Sequence, residues 1–253
     1  MENMAMDVGA LLSPPDNMKC KRVLCKQPHP DDNEIGMGGI IAKLAAAGCE
    51  VYYLTVTNGD QGNKDPNATP EETARVRHQE TIAAGRHLGV KEFYFLDHGD
   101  GTLNDVHSLS LEIAGVIRTV RPQAVFAPDP WLHYECHLDH VITGQAVSNA
   151  FLMAGRAHFP DNGATKPCPV GANGYYFTSK PNTVIDITDV FDQKFEAIAL
   201  HDSQMDPQTL VLYRTWFGMM GQELAQGRGF QLGEGLKVLA PLHCHCFVKA
   251  ADI

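Results

Sequence analysis

QPHPDDNEIGMGGI, Gln27 to Ile40, is the stretch on which the reading of this chain turns. It lies between the apolar run KRVLCKQ and the segment GMGGIIAKLAAAG, whose apolar residues recur at helical spacing and stop at Gly48, where a glycine can close a helix. The next run, CEVYYLTV, is β-branched and aromatic. The spacing predicts a strand over 21–27, a helix over 36–48 and a second strand over 49–56. That βαβ unit implies a parallel sheet with a right-handed crossover. The turn between strand and helix holds one imidazole, His29, and three carboxylates, Asp31, Asp32 and Glu34. Adjacent carboxylates repel one another, so a loop that keeps them beside a histidine calls for a cation or for open solvent. A solvated acidic N-cap is the plain alternative for any single Asp at such a place.

Outward from this unit the alternation continues. A polar loop over 58–69 leads to a helix started by Thr69 or Pro70, with Glu71 and Glu72 at the positive end of its dipole. A short strand over 92–96, the polar loop DHGDGTLND, a helix over 109–120 and a strand over 123–127 follow. The loop PDPWLHYEC then opens onto His137, Leu138, Asp139 and His140 and a helix to about Arg156. Four β,α repeats make a Rossmann-like, doubly wound, mostly parallel α/β sheet with helices on both faces. After residue 157 the pattern weakens. Extended segments at 175–177 and 183–187, separated by SKPN, read as a hairpin or edge addition, followed by helices over 189–201 and from Pro207 and a last apolar segment at 236–240. The expected organisation is one domain over 1–253, with residues 1–19 an arm and 157–253 additions packed on it.

The formal net charge of −10, with Lys and Arg scattered, argues against nucleic acid or an anionic membrane as partner and suits a small neutral or cationic substrate. The sequence carries no span of roughly 20 apolar residues and no signal-peptide pattern at its start, so the expectation is a soluble, cytoplasmic protein. Seven irregularly spaced cysteines suit reduced thiols better than a disulfide framework. The cluster His243, Cys244, His245, Cys246 offers soft-metal ligands, although alternation in PLHCHCFVKA also fits a terminal strand with one buried face. The same segment is expected to cover a subunit interface or the mouth of the site, within a homo-oligomer.

Loops that follow parallel strands share one rim, where ligands bind. The loop after the first strand offers His29, Asp31 and Asp32; that after the fourth offers His133, His137, Asp139 and His140. Strands one and four are neighbours at the switch point of a doubly wound sheet, which brings these loops face to face. Two imidazoles, one carboxylate and an open position form the donor set of a catalytic zinc, whereas structural zinc takes four protein ligands, mostly Cys. His29, Asp32 and His140 are the expected Zn²⁺ ligands. Asp31 is left beside the metal's water as base, His137 faces the same cavity as a donor to an oxyanion or leaving amine, and Asp139 orients an imidazole. His78, His87, His107 and His158 read as ordinary surface or core histidines.

HPDD with GMGG after the first strand, TVTNGDQG after the second, Arg77 and Glu80 with Ala84 and LGV in the third segment, Asp100–Gly101, the His137, Asp139, His140 set, and KFEAIALHDSQ ending at residue 204 resemble, in consistent order over 21–240, the PIG-L/LmbE-like zinc N-deacetylases. The resemblance implies hydrolysis of an N-acetyl group from an N-acetylglucosamine-containing small molecule. It implies His29, Asp32 and His140 as zinc ligands, Asp31 as general base and His137 as the group stabilising the tetrahedral species. It also puts Arg77 and Asp100 near the sugar and Glu34 in support, although here Asn33 stands between the aspartates and that acid. Where many members read A-E-A-F, this chain has GEGLKVL at 233–239. PHPDD and YYLTVTNG lean toward the diacetylchitobiose deacetylase branch, which acts on small chito-oligosaccharides.

Three rivals stand beside this reading. A dinucleotide-binding module lacks G-x-G-x-x-G spacing, and its acidic loop would repel a pyrophosphate. An HD-type phosphohydrolase built on His201 and Asp202 is all-helical, against at least four strands here. A catalytically silent metal- or sugar-binding protein on the same fold needs the same ligands, but has no use for a base at Asp31.

Overall fold

The computed structural model describes residues 13–63, 65–159 and 165–253. Its strands are β1 (Arg22–Gln27), β2 (Glu50–Thr57), β3 (Glu92–His98), β4 (Ala124–Pro128), β5 (Ala172–Tyr176), β6 (Thr183–Asp186) and β7 (Gly233–Leu239). The α-helices are α1 (Asp32–Ala46), α2 (Pro70–His87), α3 (Val106–Val120), α4 (Leu138–Met153), α5 (Phe191–Ala199) and α6 (Pro207–Ala225). All seven strands join in the order β3-β2-β1-β4-β5-β7-β6. The first five run parallel, and β7 is antiparallel to both of its neighbours.

Strand periodicity sorts the core into two layers. Val23 and Cys25 of β1 pack with Ile40, Ile41 and Leu44 of α1, Ala84 and Leu88 at the end of α2 and Ala197 of α5 on one face. Leu24 turns to the other face, against Ile113 and Ile117 of α3 and Ala146 and Val147 of α4. The α/β class and the neighbouring of β1 and β4 are as expected.

The C-terminal third differs. The segment expected as half of a hairpin is β5, a fifth parallel strand beside β4, and the GEGLKVL segment, β7, is inserted between it and the edge strand β6. Sequence neighbours 172–176 and 183–186 therefore never pair. The HCHC segment is no strand: Pro241–Cys244 forms a 3-10 turn in which the buried His243 accepts from the Ala240 N–H through Nδ1 at 3.1 Å. It lines a cleft of about 660 Å³ together with Trp131 and Tyr175. Residues 1–12 of the expected arm lie outside the described residues, and Asn17–Lys19 forms a short 3-10 turn.

α1 begins four residues earlier than its glycines suggested, because those glycines serve packing. A Cβ at Gly36 would sit 2.4 Å from the Tyr176 ring, and one at Gly39 2.7 Å from Ile187. Tyr176 is fully buried and its hydroxyl donates to Lys26 O at 2.9 Å, so the ring cannot swing away. Gly36→Ala is expected to destabilise the protein by about 1–3 kcal/mol through overpacking, read as a lower denaturant midpoint at unchanged slope.

Candidate metal centre

The site begins with a tight turn. His29 O accepts from Asp32 N at 3.4 Å, with Pro30 and Asp31 at the corners; Asp31 has φ 107°, the positive value that the third position of a type II turn demands. The turn is tied to β2, whose Thr57 donates both N–H and hydroxyl to Pro28 O at 2.8 and 2.9 Å. Asn33 is fully buried beneath it; its N–H donates to Gln27 Oε1 at 3.0 Å, and Gln27 Nε2 donates in turn to Thr55 Oγ1 at 2.9 Å. Asn33 is thus a polar peg under the loop.

Across the rim, the loop after β4 delivers His137 and α4 delivers Asp139 and His140. Asp32 accepts from the His29 N–H at 2.9 Å through Oδ2, which also lies 3.3 Å from His29 Nδ1, while its Oδ1 lies 3.4 Å from His140 Nε2. One donor atom each from His29, Asp32 and His140 falls within 4.8 Å of the others. His137 is exposed, its ring edge-on to His29 with centroids 4.5 Å apart and 5.3 Å from that of His140. His133 takes no part: it lies exposed along the cleft.

Among the described residues a second group, His29, Asp100, His137 and Asp139, also brings donor atoms this close. Its carboxylates already have partners. The fully buried Asp139 accepts from Gly101 N–H at 2.7 Å and Leu103 N–H at 3.3 Å and meets His29 Nε2 at 3.1 Å. Asp100 Oδ1 lies 3.2 Å from the same Nε2. With Nε2 held by these two acids, His29 presents Nδ1 toward Asp32 and the group of His29, Asp32 and His140.

The electrostatics agree with a cation. Asp31, Asp32, Asp100 and Asp139 surround His29 and the single guanidinium of Arg77, an excess of negative charge in a largely buried space. Burial opposes the ionisation of Asp32, but His140 and His29 hold its carboxyl well below the usual carboxylate range. Burial likewise disfavours a charged His29, yet Asp100, Asp139 and Asp32 push it up to about 12. Burial raises Asp31 to about 6, against the pull of Arg77. The donor set and the surplus charge both fit a divalent ion.

Arg77 and Asp100, expected near the sugar, lie at the acidic turn, Asp100 against His29 and Arg77 against Asp31. Arg77 is 4% exposed and donates to Pro30 O at 2.6 Å, Asp31 Oδ2 at 3.2 Å and Gly59 O at 3.2 Å, clamping the acidic turn to the loop after β2. Glu34 turns away from the rim to His201 Nε2, 3.4 Å off, with both side chains fully buried. Sequence reasoning missed Glu135. Its Oε1 accepts from the His137 main-chain N–H at 2.8 Å, which fixes the start of α4, and its Oε2 lies 3.7 Å from His140 Nδ1, beyond hydrogen-bond distance. A carboxylate two residues before His137 was the available signal.

The family model of PIG-L, GlcNAc-PI de-N-acetylase, matches residues 24–151. A diacetylchitobiose deacetylase of Thermococcus kodakarensis is 36% identical over 228 residues, 89% of this chain and 85% of that protein. A probable N-acetyl-alpha-D-glucosaminyl L-malate deacetylase 2 of Bacillus cereus is 30% identical over 191 residues, 74% of this chain and 84% of that one. The solved N,N'-diacetylchitobiose deacetylase of Pyrococcus horikoshii, in complex with an inhibitor, superposes with TM-score 0.87 at 33% identity, covering 93% of this chain and 90% of its own.

Proposed function

We propose, since this chain belongs to the PIG-L family of GlcNAc-PI de-N-acetylases, that it is a zinc-dependent amidohydrolase removing the N-acetyl group from an N-acetylglucosamine-containing small molecule, with release of acetate and a free amine. The observation that carries this reading is the convergence of His29, Asp32 and His140 donor atoms within 4.8 Å, with the Asp31 carboxylate next to Asp32 and paired with Arg77. Bound by those three residues, zinc would supply a Lewis acid that makes water a nucleophile at neutral pH.

The chain's own groups do the rest. Asp31, adjacent to Asp32 and held by Arg77, takes the proton of the attacking water. Arg77 fixes its direction and keeps it available as carboxylate. His137, exposed at the rim beside His29, donates toward the oxyanion and then to the leaving amine. Asp139 and Asp100 orient His29, and Glu135 holds the main chain at His137. Support for an amino-sugar substrate comes from the relatives named above and from a net charge of −10 that disfavours anionic partners. The proposed setting is the cytoplasm, in keeping with seven unpaired cysteines. The proposed assembly is a homo-oligomer, in keeping with Val211, Leu212, Trp216 and Met219 exposed on α6. Among the described residues no helix is long and apolar enough to cross a membrane.

Zinc-loaded protein incubated with a panel of N-acetylglucosaminides is expected to release acetate and free amine in equal amounts; release from none of them would leave a binding protein. In the metal-free protein the Asp31 carboxyl is expected to titrate near 6 by carbon NMR. Below that value the base is protonated and unusable. Arg77→Met is expected to move the titration upward, because the guanidinium favours the charged form.

A further inference from the structure

α1 is not one continuous helix. Met37 has φ −150° and ψ 26°, outside helical values, only five residues beyond Asp32. Breaks of this kind have a local cause, and here it is a buried ion pair. Lys194 of α5 donates through Nζ to Ile35 O at 2.8 Å, and to Glu234 Oε1 at 2.5 Å. Glu234 of β7 accepts from Gly39 N at 3.2 Å and from Ile40 N at 2.8 Å. In an uninterrupted helix, the N–H of Gly39 would bond to the C=O of Ile35. The lysine and the glutamate stand at the two ends of that one bond, spliced between its acceptor and its donor.

The rest of the packing accommodates the splice. Lys194 is 1% exposed and Glu234 7%. The ammonium also lies over the Phe217 ring of α6, 4.7 Å from its centroid. A Cβ at Gly38 would come 3.1 Å from Lys194 Cγ, and one at Gly39 3.1 Å from Glu234 Oε2, so the GMGG run is the space in which the pair fits. Two buried charges are a costly way to hold a helix that could bond to itself. What they achieve is to free the first turn, which carries Asp32 and Glu34, from the axis of the remainder.

We propose that Lys194 and Glu234 are positioning residues of the metal centre: by holding α1 broken at Met37 they aim Asp32 at His29 and His140. The inference rests on the metal-dependent reading above. It assigns a task to the GEGLKVL segment that the mechanism does not otherwise use.

The test is the double variant Lys194→Met with Glu234→Leu, in which no buried charge is left unpaired and the Ile35–Gly39 bond is free to re-form. The metal-free variant is expected to melt cooperatively, close to the parent. Its zinc affinity, measured against a competing chelator, is expected to fall about 10–100-fold, the usual effect of losing an outer partner of a ligand. The absorption bands of bound Co²⁺ are expected to shift as the carboxylate turns. Zinc affinity within twofold of the parent, with unchanged Co²⁺ bands, would reduce the pair to a structural brace and overturn the proposal. If the double variant does not fold, Glu234→Gln decides by the same two readings. A parent protein that binds no zinc at all would instead refute the metal-dependent reading, and this inference with it.

Discussion

Asp31→Asn is expected to bind zinc as the parent does and to lose acetate release by about 10²–10⁴-fold, the usual contribution of a positioned acid–base group. The two halves of that result are separable because Asp31 and Asp32, although adjacent, face different partners. Asp32 lies between His29 and His140, while Asp31 is held by Arg77, 3.2 Å from its Oδ2. An asparagine at 31 keeps the size of the side chain and can still accept from Arg77, but it cannot take a proton from water. Metal content after dialysis and single-turnover acetate release measure the two halves. Parental turnover in this variant would remove Asp31 from the mechanism. Loss of zinc together with activity would make it a ligand.

His140→Ala is expected to reverse that pattern, losing the metal first and activity as a consequence. One of three donors disappears, so zinc affinity is expected to fall well beyond the ~10–100-fold that loss of an outer partner brings. The fold is expected to survive. His140 sits near the start of α4, its side chain 14% exposed at the rim, and its ring's neighbours there are Asp32, Glu135 and the rings of His29, His137 and Phe177. Elemental analysis and a melting curve of the metal-free form check both statements. Full zinc occupancy in this variant would favour the competing group of His29, Asp100, His137 and Asp139.

The elements legible in the sequence were those whose signal is local. β1, β2 and β4 announced themselves by short β-branched runs, and their following loops by His and Asp at close spacing, so the meeting of His29, Asp32, His137 and His140 could be inferred from the rule that adjacent parallel strands present their loops on one rim. What escaped reading depends on partners distant in sequence. Residues 172–176 and 183–186 look like hairpin arms, and nothing local reveals that residues 233–239 thread between them. The start of α1 was misplaced because GMGG resembles a poor helix opening, when those glycines make room for Tyr176, Ile187, Lys194 and Glu234. Arg77 was recognisable by motif, but its contacts with Pro30 O and Gly59 O are made by burial, and burial is not written in a motif. The HCHC alternation matched a strand period and yet ends in a 3-10 turn, for Pro241 cannot donate to a ladder.

The positive φ of Asp31 sets two selective pressures against each other. A non-glycine residue in that backbone region stores conformational energy of order 1–3 kcal/mol, which glycine at the same place would release. Glycine is therefore the substitution that random variation under heat would favour at residue 31, and it is also one that deletes the proposed base. A library of this protein screened only for thermal survival should drift toward inert variants at this position, whereas one screened for turnover should retain the strained aspartate and seek its stability elsewhere.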